Sequence, residues 1–266
     1  MGLLNRSCQF VLAVALFETV AIGQQQTKFP PGYLTAEETI QVVGVVPPAP
    51  GTGDARFEAD MAVFRATRSL KGSERWKIAQ SDNDLSVAGQ LHAFACVLGV
   101  ALTPEAAPKL AHLLGRANTD TFDAARAVKF HYLHKRPFQV APGDVCLSAE
   151  GKAQLERSPD YPSAHSSFGW NTGLILAELD PKSGDAILAR ARAYGQSRVV
   201  CGVHNLSAVE TGWLIGAAIF AMEEASPAFR SDLDAARSEL EELRSAGKFK
   251  PKGCEVEAAA LAKSPY

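Results

Sequence analysis

The stretch Ser226-Pro227-Ala228-Phe229-Arg230-Ser231-Asp232-Leu233-Asp234-Ala235-Ala236-Arg237-Ser238-Glu239-Leu240-Glu241-Glu242-Leu243 decides the fold class. Phe229, Leu233, Ala236, Leu240 and Leu243 recur at helical spacing, which gathers them on one apolar face opposite a charged one. Ser226 suits the N-cap and Pro227 the first helical position, where a missing N–H leaves nothing unsatisfied. Thr103-Pro104 repeats the device and predicts a second helix start. Phe57, Met61 and Phe64 form another apolar face, on a helix that should stop near Lys71-Gly72. Further helices are expected over roughly 120–135, 166–179 and 206–224. The one β-branched run, Ile40 to Val46, lies in a segment marked by Pro30-Pro31, Pro47-Pro48 and Pro50-Gly51. The expectation is an extended arm over 24–54 and one all-α domain, a helical bundle, over 55–266.

The chain has 266 residues, 47% hydrophobic and 21% charged, ordinary for a soluble globular protein. Its net charge of −2 gives no reason to expect nucleic acid or an anionic membrane surface as partner. At the N-terminus, Arg6, the apolar run Phe10 to Phe17, and the small residues Ala21 and Gly23 read as a signal peptide over 1–23. The run is well short of the ~20 apolar residues a bilayer requires, and no later segment reads as a membrane span. The expected location is periplasmic or secreted. Cys8 would leave with the signal, and Cys96, Cys146, Cys201 and Cys254 would form two disulfides in one of three connectivities. No two of them make a CxxC pair, so no metal site is expected, and no cofactor is implied.

Three short segments concentrate chemistry. The first runs from Lys129 to Arg136-Pro137; seven helical residues turn through about 700°, so both cations are expected on one face, with Pro137 ending the helix. A solvated basic face is the plainer account of that segment alone. The second, Tyr161-Pro162-Ser163-Ala164-His165-Ser166-Ser167, leads into a helix whose first N–H groups suit phosphate oxygens, beside a histidine able to donate a proton. A Ser-capped helix with an incidental histidine would read the same. The third is Ser197-Arg198 followed by His204: an arginine suited to an oxyanion, then an imidazole nucleophile. Together they hold what one phosphoryl-transfer site requires. Lys129, Arg136 and Arg198 would clamp the equatorial oxygens, with backbone N–H groups around Ser163 and Ala164 as further donors. His204 would attack, and His165 would serve as general acid and then base.

In this order and spacing, Lys-x6-Arg-Pro, Pro-Ser-x-His and Ser-Arg-x5-His resemble the type 2 phosphatidic acid phosphatase superfamily. The surrounding residues are similar to its soluble branch, the bacterial class A non-specific acid phosphatases: Phe64 to Arg68, His131-Tyr132, Arg136-Pro137-Phe138, Tyr161 to His165, and Gly195 to Gly202. The resemblance implies an all-α fold, a periplasmic location, no required metal, frequent homo-oligomers and small phosphomonoester substrates. It places Lys129, Arg136, Ser163, Ala164 and Arg198 at phosphate-binding positions, His165 as acid and His204 as nucleophile. It also implies pairing Cys146 with Cys201, which leaves Cys96 for Cys254.

Two positions depart from that pattern. Ala164 stands where the second motif has glycine, harmless unless the backbone there needs positive φ. Ala208 stands where the third motif ends in His-x3-Asp, so the acid expected to orient the nucleophile is missing. Glu210 lies about 240° round a helix from His204, and Asn205 or Ser207 could reach the imidazole only off a helix. The expectation is slowed turnover. Three other readings share these residues: a binding protein with decayed catalysis, a vanadate-dependent haloperoxidase, and a lipid phosphatase, the last disfavoured without a membrane span.

Overall fold

The computed structural model describes residues 30–247 and 250–266; the proposed signal segment, with Cys8, lies outside them. Among the described residues the fold is all-α, with no β-strand. The helices are α1 (Ala36–Gln41), α2 (Ala55–Thr67), α3 (Glu74–Ser81), α4 (Val87–Leu98), α5 (Pro108–Tyr132), α6 (Pro137–Val140), α7 (Ala149–Glu156), α8 (Ala164–Leu179), α9 (Gly184–Val200), α10 (Leu206–Glu223), α11 (Pro227–Ala246) and α12 (Cys254–Leu261).

Local chemistry sets many of the starts. The side chains of Ser73, Ser86, Ser148 and Ser163 each accept an N–H from the first turn of the helix they precede. α11 begins at Pro227 and buries Phe229, Leu233, Ala236 and Leu240, as its periodicity predicts. α5 departs from expectation. Thr103-Pro104 opens only a turn, in which Ala106 and Ala107 donate to the Thr103 carbonyl. The helix starts at Pro108, where the Glu239 carboxylate of α11 accepts the Lys109 and Leu110 N–H groups.

The segment expected as an extended arm is partly helical. Thr35 and Glu38 form a capping box that starts α1, and Val42–Gly44 adds a 3-10 turn. Asp120 of α5 accepts the Tyr33 and Leu34 N–H groups at 2.7 and 3.2 Å, and Thr119 donates to the Pro30 carbonyl. Val42 and Val46 join the core beside Ala124 and Val128, so tertiary burial overrides the β-branched run.

α8 lies between α9 and α10, and α5 and α11 close over it. The main core joins Phe94, Leu110, Leu114, Ile175, Tyr194 and Phe229, each burial contributing about 1.5–3 kcal/mol. Small residues let the three central helices approach. A Cβ at Gly212 of α10 would sit 2.6 Å from the Ser163 carbonyl at the head of α8. Among the described residues α10 is the one helix long and apolar enough to cross a membrane, with half of that stretch buried. Here it is an interior helix, burying Ile215 and Ile219. Disulfides join Cys96 to Cys254 and Cys146 to Cys201, the pairing the resemblance implies. The second fastens the loop after α6 to the C-terminal end of α9, three residues before His204.

Candidate active site

The three motifs meet at one cleft of about 510 Å³, lined among others by Lys129, Arg136, Ala164, His165, Arg198 and His204. They do not meet in the way helical spacing suggests. α5 ends at Tyr132, Leu133 turns left-handed with φ 49°, and Arg136 becomes the N-cap of α6. Pro137 therefore starts a helix rather than ending one, and the two cations reach the cleft from separate elements.

Arg136 is almost wholly buried. Its Nε donates to the Leu155 and Ser158 carbonyls, and its Nη1 to the Val203 carbonyl at 2.7 Å and to His204 Nε2 at 3.1 Å. It thus fastens the loop after α7 to the nucleophile's own strand of loop. Lys129 donates to the Pro159 and Asp160 carbonyls at 2.6 and 3.2 Å. Burial, with Arg136 nearby, pushes its ammonium down to about 7. Arg198, 0% exposed, donates through Nη2 to Asn83 Oδ1, while its buried Nε and Nη1 have no acceptor among the described residues. Burial holds it at about 10, so it is charged at neutral pH.

At the head of α8, Ser163 caps the helix by accepting the Ser166 N–H. Its own N–H donates to the Ala208 carbonyl at 2.9 Å, so that backbone group is not a free phosphate donor as the sequence reading had it. The free donors of this turn are the N–H groups of Ala164 and His165, which have no intrahelical partner at the first two positions. Positive φ among described non-glycine residues occurs only at Leu133, so Ala164 fits its position without backbone strain. His165 Nε2 lies 3.1 Å from the Asn83 carbonyl. A carbonyl only accepts, so Nε2 carries the proton and the neutral ring keeps its lone pair on Nδ1. Burial and then Arg198 hold its pKa well below the ordinary histidine value.

His204 lies in a bend between α9 and α10, its N–H donating to the Arg198 carbonyl at 3.4 Å; the next helix starts at Leu206 with Asn205 as cap. The helical i+4 relation assumed between His204 and residue 208 does not apply, because α10 begins only at Leu206. A carboxylate does meet the imidazole: Asp160 Oδ1 is 2.8 Å from His204 Nδ1. The oxygen of a carboxylate accepts, so Nδ1 carries the proton and Nε2 presents its lone pair beside Arg136. Burial and then Arg136 hold this ring neutral, well below the ordinary histidine value. Asn205 does not bond the imidazole; its side chain donates to Asp160 Oδ2 at 2.8 Å. Ser207 turns to Asp60, donating both its N–H and its hydroxyl.

Two participants were missed by sequence reasoning. Asn83, between α3 and α4, holds both Arg198 and His165; with both partners more than 80 residues away in sequence, no local pattern marks it. Asp160 adjoins the second motif, and that adjacency is its one sequence signal.

The PAP2 superfamily pattern matches residues 110–226, which contain all of these motif residues. The chain is 37% identical to an acid phosphatase of Zymomonas mobilis, over 74% of each chain. It is 31% identical to a non-specific acid phosphatase of Providencia stuartii, over 88% of this chain and 94% of that one. A non-specific acid phosphatase of Salmonella typhimurium is 33% identical over 77% of this chain and 82% of its own.

Proposed function

The chain belongs to the PAP2 superfamily, in its branch of bacterial non-specific acid phosphatases, and on that premise we propose that it hydrolyses a broad range of phosphate monoesters outside the cytoplasm, through a phosphohistidine on His204 and without a metal ion. It is a phosphoric monoester hydrolase. The observation that carries the mechanistic part is the state of His204: Nδ1–H on a buried carboxylate, with the Nε2 lone pair beside Arg136 at the cleft.

The proposed course follows from these contacts. Arg198, with two unpaired donors, and Lys129 take the equatorial oxygens, together with the Ala164 and His165 N–H groups. The Nε2 lone pair of His204, which accepts from Arg136 Nη1 in the resting site, is released as the bound anion draws that donor. It attacks phosphorus, and the bond to the leaving oxygen breaks. That oxygen takes a proton from His165, whose cationic form the bound phosphoryl charge favours by offsetting the cations that suppress it. A water then gives its proton to His165 and attacks phosphorus; the P–N bond breaks, releasing phosphate and neutral His204. Fixed cations supply the charge stabilisation that a divalent ion gives elsewhere. The apolar side of the cleft, with Phe122 and Phe130, would touch the leaving group without selecting one alcohol, which supports broad specificity. The two disulfides support export to an oxidising compartment.

The reading as a decayed binding protein drew on Ala208, and Asp160 removes that support. The test is hydrolysis of p-nitrophenyl phosphate by purified protein in EDTA, beside His204→Ala. We expect full activity in EDTA, loss of at least 10³-fold in His204→Ala, and an acid-labile phosphoenzyme in the wild type alone. Equal rates for the two proteins would overturn the nucleophile assignment.

A further inference from the structure

We propose that Asp160 is the positioning carboxylate of His204, supplied from the loop before α8 in place of the acid that the third motif lacks at Ala208. The inference rests on the proposed phosphatase reading and assigns a further residue to it.

Asp160 is fully buried and every oxygen it has is engaged. Oδ1 accepts from His204 Nδ1 at 2.8 Å and from the Asn205 N–H at 3.3 Å. Oδ2 accepts from the Asn205 amide at 2.8 Å and from His134 Nδ1 at 3.3 Å. Its N–H donates to the His134 carbonyl at 2.7 Å, and its own carbonyl accepts from Lys129. Four donors therefore fix the carboxylate in one orientation, and only one of them is the nucleophile. Burial alone would raise its pKa, but hydrogen bonds from His134 and His204 outweigh that and hold it well below the ordinary carboxylate range.

The site of the missing acid is built differently. Ala208 is 0% exposed and packs in an apolar cluster with Val46, Val128, Tyr161 and Ile215. The Ala208 carbonyl accepts the Ser163 N–H, so the head of α8 is joined to the first turn of α10. Asp160 reaches His204 across that junction, from the residue next to Tyr161. Chemically its place matters in two ways. It holds the proton on Nδ1, which leaves Nε2 as the attacking atom. It also faces the positive charge that the ring acquires when Nε2 bonds to phosphorus.

A purely structural role would give the same contacts, so the test reads the nucleophile itself. Wild type, Asp160→Asn and Asp160→Asn/Ala208→Asp would be prepared with disulfides intact. Each would be assayed on p-nitrophenyl phosphate, with thermal melts and imidazole 15N spectra of His204. In Asp160→Asn we expect kcat to fall about 10²–10⁴-fold, KM to stay within about threefold, and His204 to lose its single Nδ1–H tautomer. The double variant should recover at least tenfold over the single one. A folded Asp160→Asn protein with kcat within threefold of wild type overturns the proposal, and absence of recovery overturns the equivalence of positions 160 and 208. If Asp160→Asn does not fold, the wild-type spectrum decides: an Nε2–H tautomer of His204 refutes the assignment. An inactive wild type with the Nδ1–H tautomer would refute the phosphatase reading and leave the assignment of Asp160 supported.

Discussion

Arg190 and Arg198 lie about two turns apart on α9 and both are buried, yet the fold treats them in opposite ways. Arg190 has a full set of partners: Asp82 takes Nη2 at 2.6 Å and Nη1 at 3.2 Å, and Glu257 takes Nε at 3.1 Å. Arg198 has one neutral partner, Asn83, and two buried donors without an acceptor among the described residues. Burial lowers both pKa values, but the Asp82 carboxylate more than reverses this for Arg190, while Arg198 stays at about 10. A buried cation that serves the fold is neutralised by it. One left short of partners, at the head of a cleft, is arranged for an anion that comes and goes. The contrast supports the proposed phosphate site without reference to any motif.

The strongest way to break this comparison is to remove each charge. Arg198→Met should lower kcat/KM by about 10²–10³-fold with melting temperature unchanged or raised. Arg190→Met should destabilise by about 3–5 kcal/mol, because Asp82 is left buried without its ion-pair partner, keeping the Ser197 hydroxyl as donor, with kcat/KM of the folded protein within tenfold of wild type. Similar behaviour of the two variants would void the distinction. Inorganic phosphate sharpens it next. At a hundredfold excess over Kd it should stabilise wild type by about 2.7 kcal/mol, in Arg190→Met equally, and in Arg198→Met not measurably by calorimetry.

Two pH effects follow. In the proposed site Lys129 binds the anion as ammonium, and burial pushes its pKa down to about 7, so phosphate affinity should fall as pH rises through neutrality. Lys129→Arg should flatten that dependence in a titration series. His134 faces two acceptors, Asp160 Oδ2 and the Pro50 carbonyl at 3.1 Å, and only an imidazolium satisfies both. Its pKa is raised, first by the Asp160 hydrogen bond. The resulting stability is full below the unfolded value near 6.5 and lost as pH rises through the folded one. Melting temperature should therefore drop above neutral pH in wild type and less so in His134→Gln. The smallest effect expected is at the rim: Phe130, 63% exposed, should on change to Ala raise KM for p-nitrophenyl phosphate about twofold to fivefold with kcat unchanged.

The all-α class was legible because α11 gathers its apolar residues on one face against a charged one, and Phe57, Met61 and Phe64 of α2 fall at helical spacing even though Asp60 is buried beside them. α9 was not, because Arg190, Ala191, Tyr194, Ser197 and Arg198 are all buried and leave no contrast to read. Lys129, Arg136, Ala164, His165, Arg198 and His204 were legible as a set, since each motif carries a residue type with few structural uses in that company. Asp160 was not, because its meaning depends on a residue 44 positions later. Position 208 appeared to need an acid because the motif places one there, whereas the carboxylate that meets this imidazole is Asp160. For the same reason Ala208→Asp in the wild-type background should not raise kcat: the imidazole already has its carboxylate, and a new charge would enter an apolar cluster.

Leu133 gives the interval between Lys129 and Arg136 a different meaning. The six residues between them do not measure a helical repeat. They add up a helix end, one left-handed residue and the approach to an N-cap. The interval is a calliper set by a turn. Within a continuous helix, one residue more or less would swing Arg136 around an axis and leave it at nearly the same distance. Across this turn it would pull the guanidinium off the Leu155, Ser158 and Val203 carbonyls altogether. The spacing of the motif is thus a length tolerance, and it belongs to the loop rather than to either cation.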